Sequence, residues 1–214
     1  MSDPAKSVLL VALSEGFARP NLLASKLDRL IENLGDAEVI LMQDVKGIAR
    51  RYFESRDIAV RDERIASRMQ TRSLVAQCSH VVVFWGGDID LNDVMFFAKS
   101  LRKHYRLITL PITTVRNKKR DEEFDIYIGR GSKWGNPFEI SQGPNGMDRD
   151  EVIKRYKEHF EREILPNPDM HSHLLSLRGY RLGCFCKPEK CHGDIIADYL
   201  NSYGDSTDSP DDQD

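Results

Sequence analysis

Residues 184–194 read CFCKPEKCHGD and gather Cys184, Cys186, Cys191 and His192 within nine positions. Cysteine sulfur and imidazole nitrogen suit zinc, which accepts tetrahedral Cys3His coordination without redox chemistry. The spacing departs from the common finger pattern, in which the paired cysteines stand further apart and histidine lies well downstream. Adjacent Cys191 and His192 reach one ion only by an awkward chain path. The expectation is therefore a structural zinc on Cys184, Cys186 and Cys191, with His192 open as fourth ligand. An inert thiol core, redox thiols and an iron–sulfur cluster are the alternatives, and a cluster would want a further soft ligand. His192 could instead act as an acid or base, or bind an anion, at the start of a helix, or complete a cap with Asp194.

GRGSKWGNPF, residues 129–138, is the second stretch with chemical content. Gly129, Gly131 and Gly135 permit tight turns and close ligand approach. Arg130 and Lys133 offer charge to a phosphate, Trp134 a ring on which a base could stack, and Asn136 an amide for a base edge or for the loop itself. An equally weighted alternative is a surface loop anchored to the core by Trp134 and Phe138. The stretch is no Walker loop, because neither Ser nor Thr follows Lys133 and the glycine spacing is wrong.

Positioning these groups needs a scaffold, and residues 1–115 alternate strands with helices. SVLLVAL, AEVILM and HVVVFW read as apolar strands, and YRLITLP as a further strand ended near Pro111. GIARRYFESRDI reads as a helix with a short edge strand, and DERIASRMQTRSLVAQC as a longer helix. The alternation predicts an α/β fold with a mostly parallel sheet. Strand ends of such a sheet are the preferred ligand crevice. Ser14, Glu15 and Gly16 follow the first strand, and Gly86, Gly87, Asp88 and Asp90 follow HVVVFW. Arg68 and Arg72, four apart on a helix, could neutralise a phosphate or face solvent. Glu15, Asp88 and Asp90 are candidate catalytic carboxylates for a glycosidic bond, with His192 as a further acid–base candidate; turn formation and capping are their other readings.

RNKKRDEE, residues 116–123, is expected to be a solvated charged linker; nucleic-acid contact is the lesser reading, because the neighbouring acids cancel most of its field. Residues 124–200 then form a small α/β domain, with FDIYIGR as a strand, Asp148 capping a helix, a short HLLSL helix, YRLGCF as a strand and a final helix near Gly193. Residues 201–214 read as a disordered acidic tail. No internal repeat is evident.

A hydrophobic share of 40 % over 214 residues supports a packed core. The net charge of −3 provides no global field for nucleic acid, although a local patch could still bind it. No apolar run approaches the roughly 20 residues of a membrane span, and no secretory signal is recognisable, so a cytoplasmic protein is expected. In that reducing setting Cys78 reads as a buried structural thiol.

YIGRGSKWGNPF followed by LRGYRLGCFCKPEKCHGDIIADYL closely resembles an uncharacterised bacterial and phage family of unknown function, over about Phe124 to Leu200. The resemblance marks Gly129 to Gly131, Lys133 to Pro137, Cys184, Cys186, Pro188 and Cys191 to Asp194 as one signature and implies no reaction. Residues 1–115 more loosely resemble the Rossmann-like superfamily of DNA-processing protein A and the lysine-decarboxylase-like phosphoribohydrolases, with nucleoside deoxyribosyltransferases nearby. That likeness implies nucleotide binding at the strand ends and, in some members, N-glycosidic cleavage. The hydrolases' Gly-Gly-x-Gly-Thr loop is here Gly86, Gly87, Asp88, Ile89, Asp90, so their catalytic pattern does not carry over. The leading expectation is binding and processing of a nucleotide or nucleoside derivative by N-glycosidic hydrolysis or glycosyl transfer. A non-enzymatic nucleotide or nucleic-acid sensor in phage–host conflict and a structural interaction protein are the alternatives.

Overall fold

A computed structural model describes residues 6–64, 66–120, 123–141 and 146–205. The chain divides into two compact units, residues 1–110 with 204–214, and residues 111–203.

In the first unit, β1 (Ser7–Leu13), β2 (Ala37–Met42), β3 (Val60–Glu63), β4 (His80–Trp85) and β5 (His104–Thr109) form one sheet in the order β3-β2-β1-β4-β5. Every pairing is parallel. Continuous apolar runs are required because both faces of the central strands are covered. Alternate side chains of β1 serve opposite faces. Leu9, Val11 and Leu13 pack in a cluster with Leu23 and Leu27 of α1 (Pro20–Leu34) and Tyr52 and Phe53 of α2 (Ile48–Glu54). Leu10 and Ala12 pack in another with Leu74 and Val75 of α3 (Arg68–Gln77) and Val94 and Phe97 of α4 (Asn92–Ser100). The strand order reverses between β1 and β4, the place where open α/β sheets leave a crevice beyond their carboxyl ends.

Three expectations change. The helix expected from DERIASRMQTRSLVAQC starts only at Arg68, because Asp62 and Glu63 pair with Leu41 and Met42 as an edge strand and Ser67 caps the helix by accepting from the Gln70 N–H. The boundary lies at residues 110 and 111 rather than in a linker over 116–123. Arg116 and Asn117 belong to a strand, and Lys118–Arg120 form a 3-10 turn. The expected tail is helical at Asn201 and Ser202, and the Asp205 carboxylate accepts from the N–H groups of Asn21 and Leu22. Residues 206–214 of that tail lie outside the described residues.

The second unit holds a three-stranded parallel sheet in the order β6-β8-β7, from β6 (Thr114–Asn117), β7 (Ile126–Tyr127) and β8 (Arg181–Cys184). Its helices are α5 (Arg149–His159), continued by a π-helical turn over Phe160–Ile164, α6 (Pro168–Leu175) and α7 (His192–Ser202). Asp148 caps α5 by accepting from the Glu151 N–H. Tyr156, Phe160, Ile164, Leu174, Leu182, Ile196 and Leu200 make the core.

Candidate metal centre

β8 ends at Cys184, and Cys186 follows two positions on, past a bend at Phe185 that leaves the two sulfurs close together. Cys191 then stands as the N-cap of α7 with extended backbone, at φ −129° and ψ 143°. His192 is the first helical residue. This change from extended to helical backbone turns two adjacent side chains toward one point. The ligand atoms of Cys184, Cys186, Cys191 and His192 all lie within 4.8 Å of one another. Cys184 Sγ stands 3.6 Å from Cys186 Sγ and 3.9 Å from His192 Nδ1, and Cys191 Sγ stands 3.8 Å from the same nitrogen. Sulfurs about 2.3 Å and a nitrogen about 2.0 Å from a tetrahedral zinc would be separated by about 3.5 to 3.8 Å. The cluster can therefore hold a metal ion with four protein ligands, and the chain path that looked awkward in sequence is resolved by the cap.

The surroundings orient the ligands. His192 Nε2 lies 2.9 Å from the Ile128 carbonyl, to which it donates, leaving Nδ1 for the cluster. The Cys191 N–H donates to the Asp194 carboxylate, and the Gly193 N–H donates to Cys191 Sγ, a capping box built on a thiol. Gly193 lets the first turn of α7 come close. A Cβ there would lie 2.6 Å from Ile128 Cδ1 and 3.1 Å from Val115 Cγ1. Acid–base work by His192 on an external substrate does not fit, because the residue is 4 % exposed and both ring nitrogens are engaged.

Crowding splits the acidities of these groups. Hydrogen bonds from Cys184, Cys191 and His192 hold the Cys186 thiol far below its ordinary value, whereas bonds to Cys184 and Cys186 raise that of Cys191. Burial disfavours the His192 cation, but the Cys184 and Cys186 sulfurs and the Ile128 carbonyl outweigh it and lift the ring to about 9. A divalent cation at this point would displace the protons of these close donors.

The Gly-rich loop serves the core. Trp134 is 3 % exposed, and its carbonyl accepts from Tyr156 Oη at 2.9 Å. The Asn136 amide accepts from the Phe138 N–H and donates to the Val152 carbonyl. Neither can meet a base in this conformation, which corrects the ligand reading of both. Arg130 is ion-paired with Glu139 at the surface, and the Lys133 ammonium lies 4.9 Å from the Trp134 ring centre. Gly131 has a positive φ of 88°, and a Cβ on Gly135 would meet the Gly129 carbonyl at 2.7 Å, so these glycines build the turn.

In the first unit, a cleft of about 780 Å³ opens beyond β2 and β3. Among its lining residues are Val45, Arg64, Arg68, Ile89 and Asp90. Arg68 pairs with Asp93 across it, while Arg64 and Asp90 have no ionic partner among the described residues. Asp44 is occupied by the Ile48 and Arg50 N–H groups at the start of α2. Arg72, Glu15, Gly16, Gly86, Gly87 and Asp88 do not line the cleft. Ser14 is fully buried, with its Oγ accepting from the Gly86 N–H at 2.6 Å, so it closes the β1–β4 junction rather than facing a ligand. The Glu15 N–H points at Asp88 Oδ1, 3.4 Å away. Arg64, Val45 and Ile89 escaped sequence reasoning, although each closely follows a strand or the Gly86–Gly87 turn. No helix among the described residues is long and apolar enough to cross a membrane.

The family described as "Domain of unknown function (DUF4326)" matches residues 112–202, which lie within the second unit. An uncharacterised 12.4 kDa protein in the nrdA-td intergenic region of Enterobacteria phage T4 is 43 % identical over 83 residues, covering 39 % of this chain and 73 % of the phage protein. No solved structure matches the chain significantly. With that degree of identity across most of the phage protein, and with the metal-ligand cluster inside the matched span, the chain belongs to the DUF4326 family.

Proposed function

We propose that the chain binds and processes a nucleotide or nucleoside derivative in the cleft of its first unit, and that Cys184, Cys186, Cys191 and His192 hold a structural zinc in the second. The observation that carries the ligand reading is the content of the cleft at the carboxyl ends of a doubly wound sheet. Exposed apolar Val45 and Ile89 stand there with Arg64 and Asp90, which lack ionic partners among the described residues. A base can rest on the apolar pair, a phosphate on Arg64, and the Asp90 carboxylate can face the sugar. In N-glycosidic cleavage the bond from the anomeric carbon to the base nitrogen breaks, a hydroxyl from water takes its place, and the remaining proton of that water ends on the departing base. A carboxylate beside the sugar would stabilise the positive charge that develops and could take the proton from water. Glu15 and Asp88, adjacent at the β1–β4 junction, are the secondary carboxylate candidates. Zinc fits the donor set because three cysteine sulfurs and one imidazole nitrogen are soft to borderline ligands in a closed, mostly buried cluster, as structural sites require.

Calorimetry with nucleotides and nucleosides, coupled to measurement of released base, tests the reading. Arg64→Ala should weaken binding of a phosphorylated ligand about 10- to 100-fold, the worth of a charge-assisted bond. Asp90→Asn should retain binding and lose turnover. Absence of binding by any nucleotide or nucleoside would refute the ligand class, and base release unchanged in Asp90→Asn would refute that residue's role.

A further inference from the structure

The carboxyl end of the small sheet carries a second chemical feature beside the metal cluster. Phe185 lies between Cys184 and Cys186 in the chain, at a bend just past the end of β8, and it is 42 % exposed. The Tyr127 ring, from the end of β7, meets it edge-on at 6.0 Å and 70°. From the end of β6, the Lys118 ammonium lies 4.7 Å from the Tyr127 ring centre and 5.5 Å from that of Phe185. Lys119 reaches the Phe185 ring at 5.8 Å. Lys118, Lys119 and Arg120 are exposed and have no carboxylate partner among the described residues, and the nearby Glu123 is drawn to Arg181.

We propose that this patch binds single-stranded nucleic acid, with a base stacked on Phe185 and neighbouring phosphates held by Lys118 and Lys119. An exposed ring flanked by cations that have no carboxylate partner among the described residues is a combination that strands recognise, since every base offers a π-face and every linkage a negative charge. Duplexes bury those faces. The overall charge of −3 does not oppose the reading, because screening confines the interaction to charges within about 10 Å. The metal cluster has a role in this site. A metal held by Cys184 and Cys186 would restrict the backbone on both sides of Phe185, so that ordering the platform would cost little on binding.

Fluorescence anisotropy of the full metal-loaded protein with a labelled mixed-sequence oligonucleotide, as DNA and as RNA, tests the proposal. Binding should weaken as salt rises. Phe185→Ala should reduce affinity roughly 5- to 100-fold, as loss of one stacked base does, while Phe185→Trp retains it. Replacing Lys118 and Lys119 together with alanine should lower the salt slope by about 1.4, near 0.7 for each phosphate contact. Should Phe185→Ala lose its metal or fold, the lysine variant decides, because neither lysine is a ligand. The proposal is overturned if the wild-type protein binds neither strand, if a well-folded Phe185→Ala binds unchanged, or if the lysine variant keeps the full salt slope. Equal or tighter binding of duplex, or of anionic phospholipid vesicles, would also overturn it.

Discussion

Replacing Trp134 with alanine separates the core reading of the Gly-rich loop from the ligand reading. The ring is 3 % exposed and packs with Ile128, Tyr156 and Phe160, so truncation opens a large apolar cavity that its neighbours cannot fill without moving. Core truncations of Trp or Phe cost about 3 to 5 kcal/mol. The second unit has 93 residues, from 111 to 203. At about 0.05 to 0.15 kcal/mol per residue its stability would be roughly 5 to 14 kcal/mol, so this one change removes a large fraction. The hydrogen bond from Tyr156 reaches the backbone carbonyl of residue 134 and is not itself deleted, which keeps the loss in the packing range. Trp134→Phe should recover part of it. Urea unfolding followed by far-ultraviolet circular dichroism is the assay, because the remaining Trp85 reports on the first unit. A loss below about 1 kcal/mol would refute the core assignment.

Asn136→Ala should cost about 1 to 3 kcal/mol in the same assay, by leaving the Phe138 N–H and the Val152 carbonyl without their amide partner. Thiol titration should find Cys78 unreactive until unfolding, since burial pushes it up to about 11, while chelation of the metal should release three reactive thiols from the cluster. Hydrogen bonds from Arg181 hold Asp125 down at about 2. A depressed carboxylate contributes stability above its unfolded value near 3.9, and the contribution fades as pH falls through about 2. Because the pair is exposed, Asp125→Asn should cost under about 1 kcal/mol at pH 7 and nothing at the acid end, as pH-dependent melting would show.

The centre of the large sheet was legible because β1, β2 and β4 carry continuous apolar runs, a pattern that burial on both faces demands. β3 was less so: VRDE carries three charged residues, and only its pairing with β2 makes it a strand. The candidate metal ligands declared themselves by residue type, but the place of His192 among them depended on backbone direction, which spacing does not encode. Cys191 as an extended cap followed at once by helix is what brings the two neighbouring side chains to one point. Trp134 and Asn136 were ambiguous for a related reason, since a Gly-rich loop can turn an aromatic ring inward or outward with the same composition. The sequence signal for Phe185 was present in the C-F-C alternation. It gained meaning only when Lys118, Lys119 and Tyr127, 58 to 67 positions earlier, proved to end on neighbouring strands.

The metal centre is the claim on which the second unit's architecture depends, and elemental analysis of the full chain purified without added metal tests it most directly. The expected result is about one zinc per chain, lost together with folded stability in Cys186→Ser. Protein that is folded, fully reduced and free of zinc, iron and every other transition metal would contradict it.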